Sequence, residues 1–246
     1  MAEMRPVRGS PTFEGDVQVM FSAISRRYSL FDHVSTLGGD MIWRSKALWS
    51  VDNLLGKSPR MILDLGCGPG DMTFLMSSHY PSSRIVGVDF TRAMVVKGER
   101  ARTSKPAGGR LSFAVGDAQS LPFRSSTFDL VTSAFLLRNL TDLKAAIEEM
   151  RRVLKPGGVI LALDLTEPKP SWFKGFFHAY FDKVVPAIGA AFHNELPYRY
   201  LSDSLAHFPP RDRVMEMLRG TGLTDVSCDL QWLGVVTGFL GRAPGG

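Results

Sequence analysis

The chain has 246 residues, 44% apolar and 22% charged, a composition that excludes a disordered polyelectrolyte, a collagen and a coiled coil. A chain of this size buries about 70–75% of the surface its unfolded form exposes, enough for one sizeable core, and no low-complexity linker divides it. Its 29 basic and 24 acidic side chains leave a net charge of +5, which favours an anionic ligand or membrane surface but is too small to argue for nucleic acid.

Residues 1–15 are rich in Pro, Gly and Arg without periodicity and read as a mobile tail ahead of a single domain, 16–246. They lack the apolar run of a secretion signal, and no stretch of the chain reaches the ~18 consecutive apolar residues that cross a bilayer. A cytoplasmic protein with peripheral membrane contact at most is therefore expected. Val17, Met20, Phe21, Ile24, Tyr28 and Phe31 recur at helical spacing, as do Met41, Ile42, Trp43, Leu48 and Trp49 after Gly38-Gly39, so two helices are expected within 16–56. From residue 60 short apolar runs predict strands at 60–65, 84–89, 110–115, 128–135 and 158–165. Between them helices are predicted at 71–79, 91–104 and 141–154, the last begun by Thr141 as N-cap and closed by Lys155-Pro156-Gly157-Gly158. After a helix at 211–220, the runs 223–232 and 235–242 are joined by a corner at Gly234 too short for a crossover. The predicted fold is α/β: a doubly wound, mostly parallel seven-stranded sheet with an antiparallel last strand.

The segment Asp64-Leu65-Gly66-Cys67-Gly68-Pro69-Gly70-Asp71 lies between the first strand and a helix, where glycines let a ligand lie against main-chain N–H groups. The second strand ends in Asp89, about 20 residues further on, where a carboxylate accepts ribose hydroxyls. A nucleoside cofactor follows. The glycines run GxGxG rather than GxGxxG, and Pro69 removes an N–H that a diphosphate needs, so NAD fits poorly. Asp64, Asp89 and Asp117, the last followed by Ala118 whose N–H is placed to read an adenine edge, point instead to a cation, and S-adenosylmethionine carries a sulfonium and an ammonium. The two cysteines, Cys67 and Cys228, make neither a disulfide framework nor a four-cysteine zinc site, so a reducing compartment and no metal are expected.

DLGCGPGD, VGVDF, GDAQSLPF, FDLV and RVLKPGG resemble the successive motifs of class I S-adenosylmethionine-dependent methyltransferases, a Rossmann-like group. The resemblance implies that Gly66, Gly68 and Gly70 meet the methionine part with Thr73 nearby, that Asp89 holds the ribose and that Asp117 and Ala118 meet the adenine. The Asn/Asp-Pro-Pro-aromatic motif of nucleic-acid amine methylation is absent after the fourth strand, which favours a small-molecule acceptor. Over residues 17 to 242 the chain is similar to the ubiquinone and menaquinone biosynthesis C-methyltransferases, through FSAISRRYSLFDHVSTLGGDMIWR, LLRNLTD and PYRYLSDSLAHFP. Where that family has Ser-Phe-Gly-Leu-Arg-Asn this chain reads Ala134-Phe135-Leu136-Leu137-Arg138-Asn139, so the cofactor-touching serine is lost unless Ser133 substitutes. Likewise, the usual Tyr-Asp after the first helix is Tyr28-Ser29.

Trp172, Phe173, Phe176, Phe177, Tyr180 and Phe181 fall within about half a helix circumference, with Lys174, His178 and Asp182 opposite and Lys183 near one edge. This aromatic-rich insertion, 166–209, is expected to form the acceptor side, as a wall for an apolar quinol-like molecule or a lid that meets the membrane. A core helix packed on the sheet is the alternative. A ring carbon becomes nucleophilic when its neighbouring hydroxyl ionises, and Arg138 is expected to stabilise that phenolate as a fixed cation, since its pKa above ~12 precludes a role as base. Asn139 is expected to position a water or the substrate oxygen, Tyr28 and Tyr200 to close the pocket, and His193 to be structural rather than a general base. Two rival readings stand beside quinol C-methylation: a relative methylating the O, N or C of another apolar molecule, and a cofactor-binding protein without turnover. The apolar hairpin at 223–240 offers an edge for a homodimer.

Overall fold

The apolar runs pair into one seven-stranded sheet in a computed structural model that describes residues 6, 10, 12–24, 38–105, 108–184 and 195–245. Its strands are β1 (Met61–Leu65), β2 (Arg84–Asp89), β3 (Leu111–Val115), β4 (Phe128–Ala134), β5 (Leu154–Leu165), β6 (Thr224–Gln231) and β7 (Val236–Arg242), in the order β3-β2-β1-β4-β5-β7-β6. The first five run parallel, β7 is antiparallel to both β5 and β6, and the expected fold class is therefore found.

Helices cover both faces because each strand alternates its side chains. Ile62, Leu130 and Leu161 point to one face, under α2 (Asp40–Leu55) and α3 (Asp71–His79), with Trp43, Leu48, Val51, Met72 and Met76 among the buried residues. Leu63, Val131 and Ile160 point to the other, under α5 (Leu143–Val153) and α8 (Arg211–Gly220) through Ile147, Met150, Val214 and Leu218. The remaining helices are α1 (Phe13–Ile24), α4 (Arg92–Thr103), α6 (Ser171–Ala179), continued by a π turn at Tyr180–Val184, and α7 (Glu195–Ala206).

Several expectations change in detail. The helix α1 begins at Phe13, inside the stretch expected to be tail, because Phe13 and Met20 bury against Tyr200 of α7. Asp142, not Thr141, caps α5: its carboxylate accepts the Ala145 N–H at 2.9 Å, while the Thr141 hydroxyl donates to Glu14. Nor do Lys155-Pro156-Gly157-Gly158 form a loop. β5 starts at Leu154, and a register shift between Phe128 and Leu130 absorbs the irregularity. The β6–β7 corner is the turn Trp232–Gly234, in which Trp232 and Leu233 take the left-handed backbone (φ 45° and 57°), costing about 1–3 kcal/mol each. Among the described residues no helix is long and apolar enough to cross a membrane.

Candidate active site

The parallel strands end at one edge, and the loops leaving them there line a cleft. Its floor is the turn after β1. Gly66 and Gly68 line it with φ of 62° and 54°, and a Cβ on Gly66 would stand 2.8 Å from Leu136 Cδ1. The turn is held from behind by the Cys67 N–H donating to Val88 O at 3.1 Å and by the Gly68 N–H donating to Asp89 Oδ2 at 2.8 Å. Asp89 also accepts the Thr91 N–H on Oδ1 at 2.8 Å, which fixes its carboxylate in the cleft wall. Burial outweighs these bonds and raises its pKa.

Asp117 and Ala118 line the same wall, with Asp117 Oδ1 accepting the Gln119 N–H at 2.8 Å. The roof is α1: Val17 and Phe21 face inward, Glu14 accepts from Thr141 Oγ1 at 2.7 Å and Gln119 Nε2 at 3.2 Å, and Gln18 donates to Phe90 O at 3.0 Å. Sequence reasoning missed α1 as part of the site, although Glu14 was visible as an acid at its start. The described residues lining the cleft include three acids, Glu14, Asp89 and Asp117, and neither Lys nor Arg. Such a field favours a cation and repels a diphosphate.

Asp64 lies behind the turn rather than in the wall. It is fully buried and accepts from Thr73 Oγ1 (2.5 Å) and Thr132 Oγ1 (3.1 Å), so Thr73 serves Asp64 rather than the cleft. Burial pushes the Asp64 pKa up to about 6 against the pull of both hydroxyls and of the Arg44 charge. Burial likewise raises the pKa of the Cys67 thiol. Gly70 also stands back from the cleft, capping α3 at φ 104° where a Cβ would strike Phe74 and Phe113. Strand alternation sends Ser133 to the face opposite Thr132 and Ala134, and of these three residues it is Ala134 that lines the cleft.

On the side away from Asp117 and Ala118 the cleft is lined by Ala134, Phe135, Leu136, Asn139 and Leu140. Phe135 takes φ 62°, held by its N–H donating to Leu163 O at 2.7 Å. Asn139 donates through Nδ2 to Phe135 O at 3.1 Å, which orients its amide, and its buried Oδ1 has no partner among the described residues. Arg138, expected to act on the acceptor as a fixed cation, stands back from the cleft. Its side chain is buried, pairs with Asp164 Oδ1 at 2.5 Å and is not among the lining residues, so its charge is offset by a carboxylate that sequence reasoning did not single out. A second buried pair, Arg44 with Asp40 at 2.7 Å, places its guanidinium 4.9 Å from the Phe135 ring centre, and that of Arg138 stands at 5.7 Å.

None of the described residues of 166–209 lines the cleft. Within α6, Phe177 is buried in the core and Phe173 and Tyr180 pack against it, whereas Trp172 and Phe176 face solvent. Tyr200 is buried beneath α1 at 6.5 Å from Phe21, while Tyr28 and His193 lie outside the described residues.

The sheet order with its reversed β7, the glycine turn after β1 and the acid ending β2 define the class I methyltransferase fold. A SAM-dependent methyltransferase of Thermotoga maritima superposes with a TM-score of 0.64 over 91% of this chain and 98% of its own, at 14% identity. The ubiE/COQ5 methyltransferase family model matches residues 11–242, and the chain belongs to that family. It is 34% identical to the ubiquinone/menaquinone biosynthesis C-methyltransferase UbiE of Geotalea daltonii, over 92% of this chain and 95% of the relative. To the demethylmenaquinone methyltransferase of Deinococcus radiodurans it is 38% identical, over 90% of each.

Proposed function

We propose that the protein is an S-adenosylmethionine-dependent enzyme that methylates a ring carbon of a demethylated quinol. One observation carries the reading: a cleft lined, among the described residues, by acids and no cation around Asp89 and Asp117 opens at its other end on apolar side chains around the buried amide oxygen of Asn139. When bound, S-adenosylmethionine supplies an electrophilic methyl group on a sulfonium. Gly66 and Gly68 give its amino-acid part a bare backbone, Asp89 takes the ribose, Asp117 and Ala118 the adenine, and the charge of Asp64 acts from behind the turn. Asn139 Oδ1 accepts a hydrogen bond from the acceptor hydroxyl or from the water that receives its proton. Arg138 is a positioning residue in this reading. Through Asp164 it pins the turn Leu137–Asn139 to β5 and so aims Asn139. Tyr28, outside the described residues, keeps the pocket-closing part expected from the sequence. Exclusion of water by Val17 and Phe21 favours a reaction in which the donor loses its charge.

Methylation of a different apolar molecule is the second reading, and Leu136 favours it, since its bulk against Gly66 narrows the cleft beside the acceptor. The test is transfer of labelled methyl to demethylated naphthoquinols, demethylated benzoquinols and unrelated phenols. A ring-methylated quinol supports the proposal, product on oxygen or nitrogen supports the second reading, and donor binding without transfer to any acceptor overturns both. The proposed setting is the cytoplasm, with peripheral contact to the membrane that holds a polyprenyl acceptor. Two copies paired along the open edge of β6 are the oligomer that this edge allows, and light scattering at twice the 27.1 kDa chain mass tests it.

A further inference from the structure

Resting on the reading of a lipid-soluble acceptor, we propose that the turn Trp232–Gly234 and the outer face of α6 together form a docking surface for a bilayer bearing anionic headgroups. Trp172 and Phe176 are 76% and 66% exposed, and Trp232 and Leu233 are 43% and 46% exposed. These side chains form one patch. Phe173 meets Trp172 at 5.6 Å, Phe176 at 5.5 Å and Trp232 at 6.3 Å between ring centres, and Trp232 stacks on Trp43 of α2 at 5.7 Å.

The patch stands at the edge of the sheet that holds the cleft. Leu165, the last residue of β5, pairs with Val236, the Thr166 N–H donates to Val235 O at 2.8 Å, and the Lys169 N–H donates to Leu233 O at 2.9 Å. The Arg211 guanidinium donates to Gly234 O at 3.1 Å. These bonds hold Trp232 and Leu233 in left-handed backbone, which a solvent-facing turn ordinarily gives to Gly or Asn. The turn thereby keeps the partly exposed Trp232 and Leu233 beside Trp172 and Phe176 on one apolar surface.

Charge selects the phase. Residues 166–184 carry Lys169, Lys174 and Lys183 against Glu167 and Asp182, Arg211 adds a cation at the turn, and Lys174 already neutralises Glu167 at 2.8 Å. Tryptophan and phenylalanine interleaved with lysine are the composition of a surface that sits at the headgroup level. The core of a protein interface is instead depleted of lysine. Docked this way, the carboxyl edge of the sheet faces the bilayer from which a polyprenyl acceptor enters.

The experiment is flotation of the full chain with vesicles of phosphatidylcholine and phosphatidylglycerol, and with phosphatidylcholine alone, for the wild type and W172Q/F176Q. The wild type is expected to float with the anionic vesicles and less with the neutral ones, with tryptophan emission moving to shorter wavelength. The double substitution is expected to lower partitioning about tenfold or more. An equal thermal shift of both proteins by S-adenosylhomocysteine shows that neither the fold nor the cleft has changed. Wild-type protein that stays in solution with both vesicles, equal flotation of the two proteins, or a wild-type dimer that W172Q/F176Q converts to monomer overturns the proposal. The enzymatic reading fails separately, by absence of methyl transfer to a short-chain, water-soluble demethylated quinol.

Discussion

Replacing Asp64 with asparagine should stabilise the ligand-free protein while weakening donor binding. The carboxyl is fully buried, and its pKa rises from an ordinary 3.8 to about 6, a difference of about 2 units or ~3 kcal/mol of preference for the neutral form. Because the folded value is the higher one, the contribution of Asp64 to stability is complete below pH 3.8 and is lost as pH rises through 6. An asparagine keeps the shape and removes the charge. Its amide donates to one threonine hydroxyl and accepts from the other, and Thr132 Oγ1 keeps an alternative acceptor in Leu63 O at 3.3 Å. Urea unfolding of wild type and D64N from pH 4 to 8 should show the variant about 3 kcal/mol more stable above pH 7, with the gap closing toward pH 4. In a melting experiment that gain corresponds to about 6–12 °C. Calorimetric titration with S-adenosylmethionine should show weaker binding by D64N. A variant less stable than wild type at pH 8, or a gap that ignores pH, refutes the reasoning that a buried charge costing stability is kept for the ligand.

Removing Asp164 takes one carboxylate acceptor from the buried Arg138 guanidinium and from two main-chain N–H donors, so D164A should lose about 3–5 kcal/mol in urea unfolding. A loss under ~1 kcal/mol would show that the pair is solvated. D142A removes the α5 cap and should cost about 1 kcal/mol, measured the same way, with no change in donor affinity. G70A combines φ 104° with a Cβ 2.7 Å from the Phe74 ring. It should lower the melting temperature and weaken S-adenosylhomocysteine binding together by distorting the turn before α3. Leu136→Gly opens the cleft beside Gly66, so the ratio of kcat/KM for bulky over small acceptors should rise; an unchanged ratio removes Leu136 from the specificity account.

The sheet was legible because its information is local: Met61–Leu65, Arg84–Asp89 and Leu111–Val115 are apolar runs bounded by turn residues, and the glycine turn and Asp89 follow from chain order. Side-chain direction was less so. Ser133 and Thr132 are neighbours in sequence, yet only the register Asp64↔Thr132 decides which of them meets Asp64. Asp164 sat in view as an acid inside the apolar run 158–165, and Asp40 and Arg44 at i,i+4 spacing on a helix gave a similar signal. Buried charges of this kind require partners. Which cation would meet Asp164 depends on the crossover that brings Leu137–Asn139 beside β5, and no local pattern encodes that. The aromatic face of α6 is compatible with a cleft wall, a lid at the membrane or a core helix, because periodicity identifies an apolar face but not what covers it.

Calorimetric titration of the protein with S-adenosylmethionine and, in parallel, with NAD tests the central claim most directly, since the two differ in the sign of the charge they bring to Asp89 and Asp117. The account predicts saturable heat with the sulfonium compound and none with the dinucleotide. Tight association of NAD with no heat from S-adenosylmethionine would contradict it.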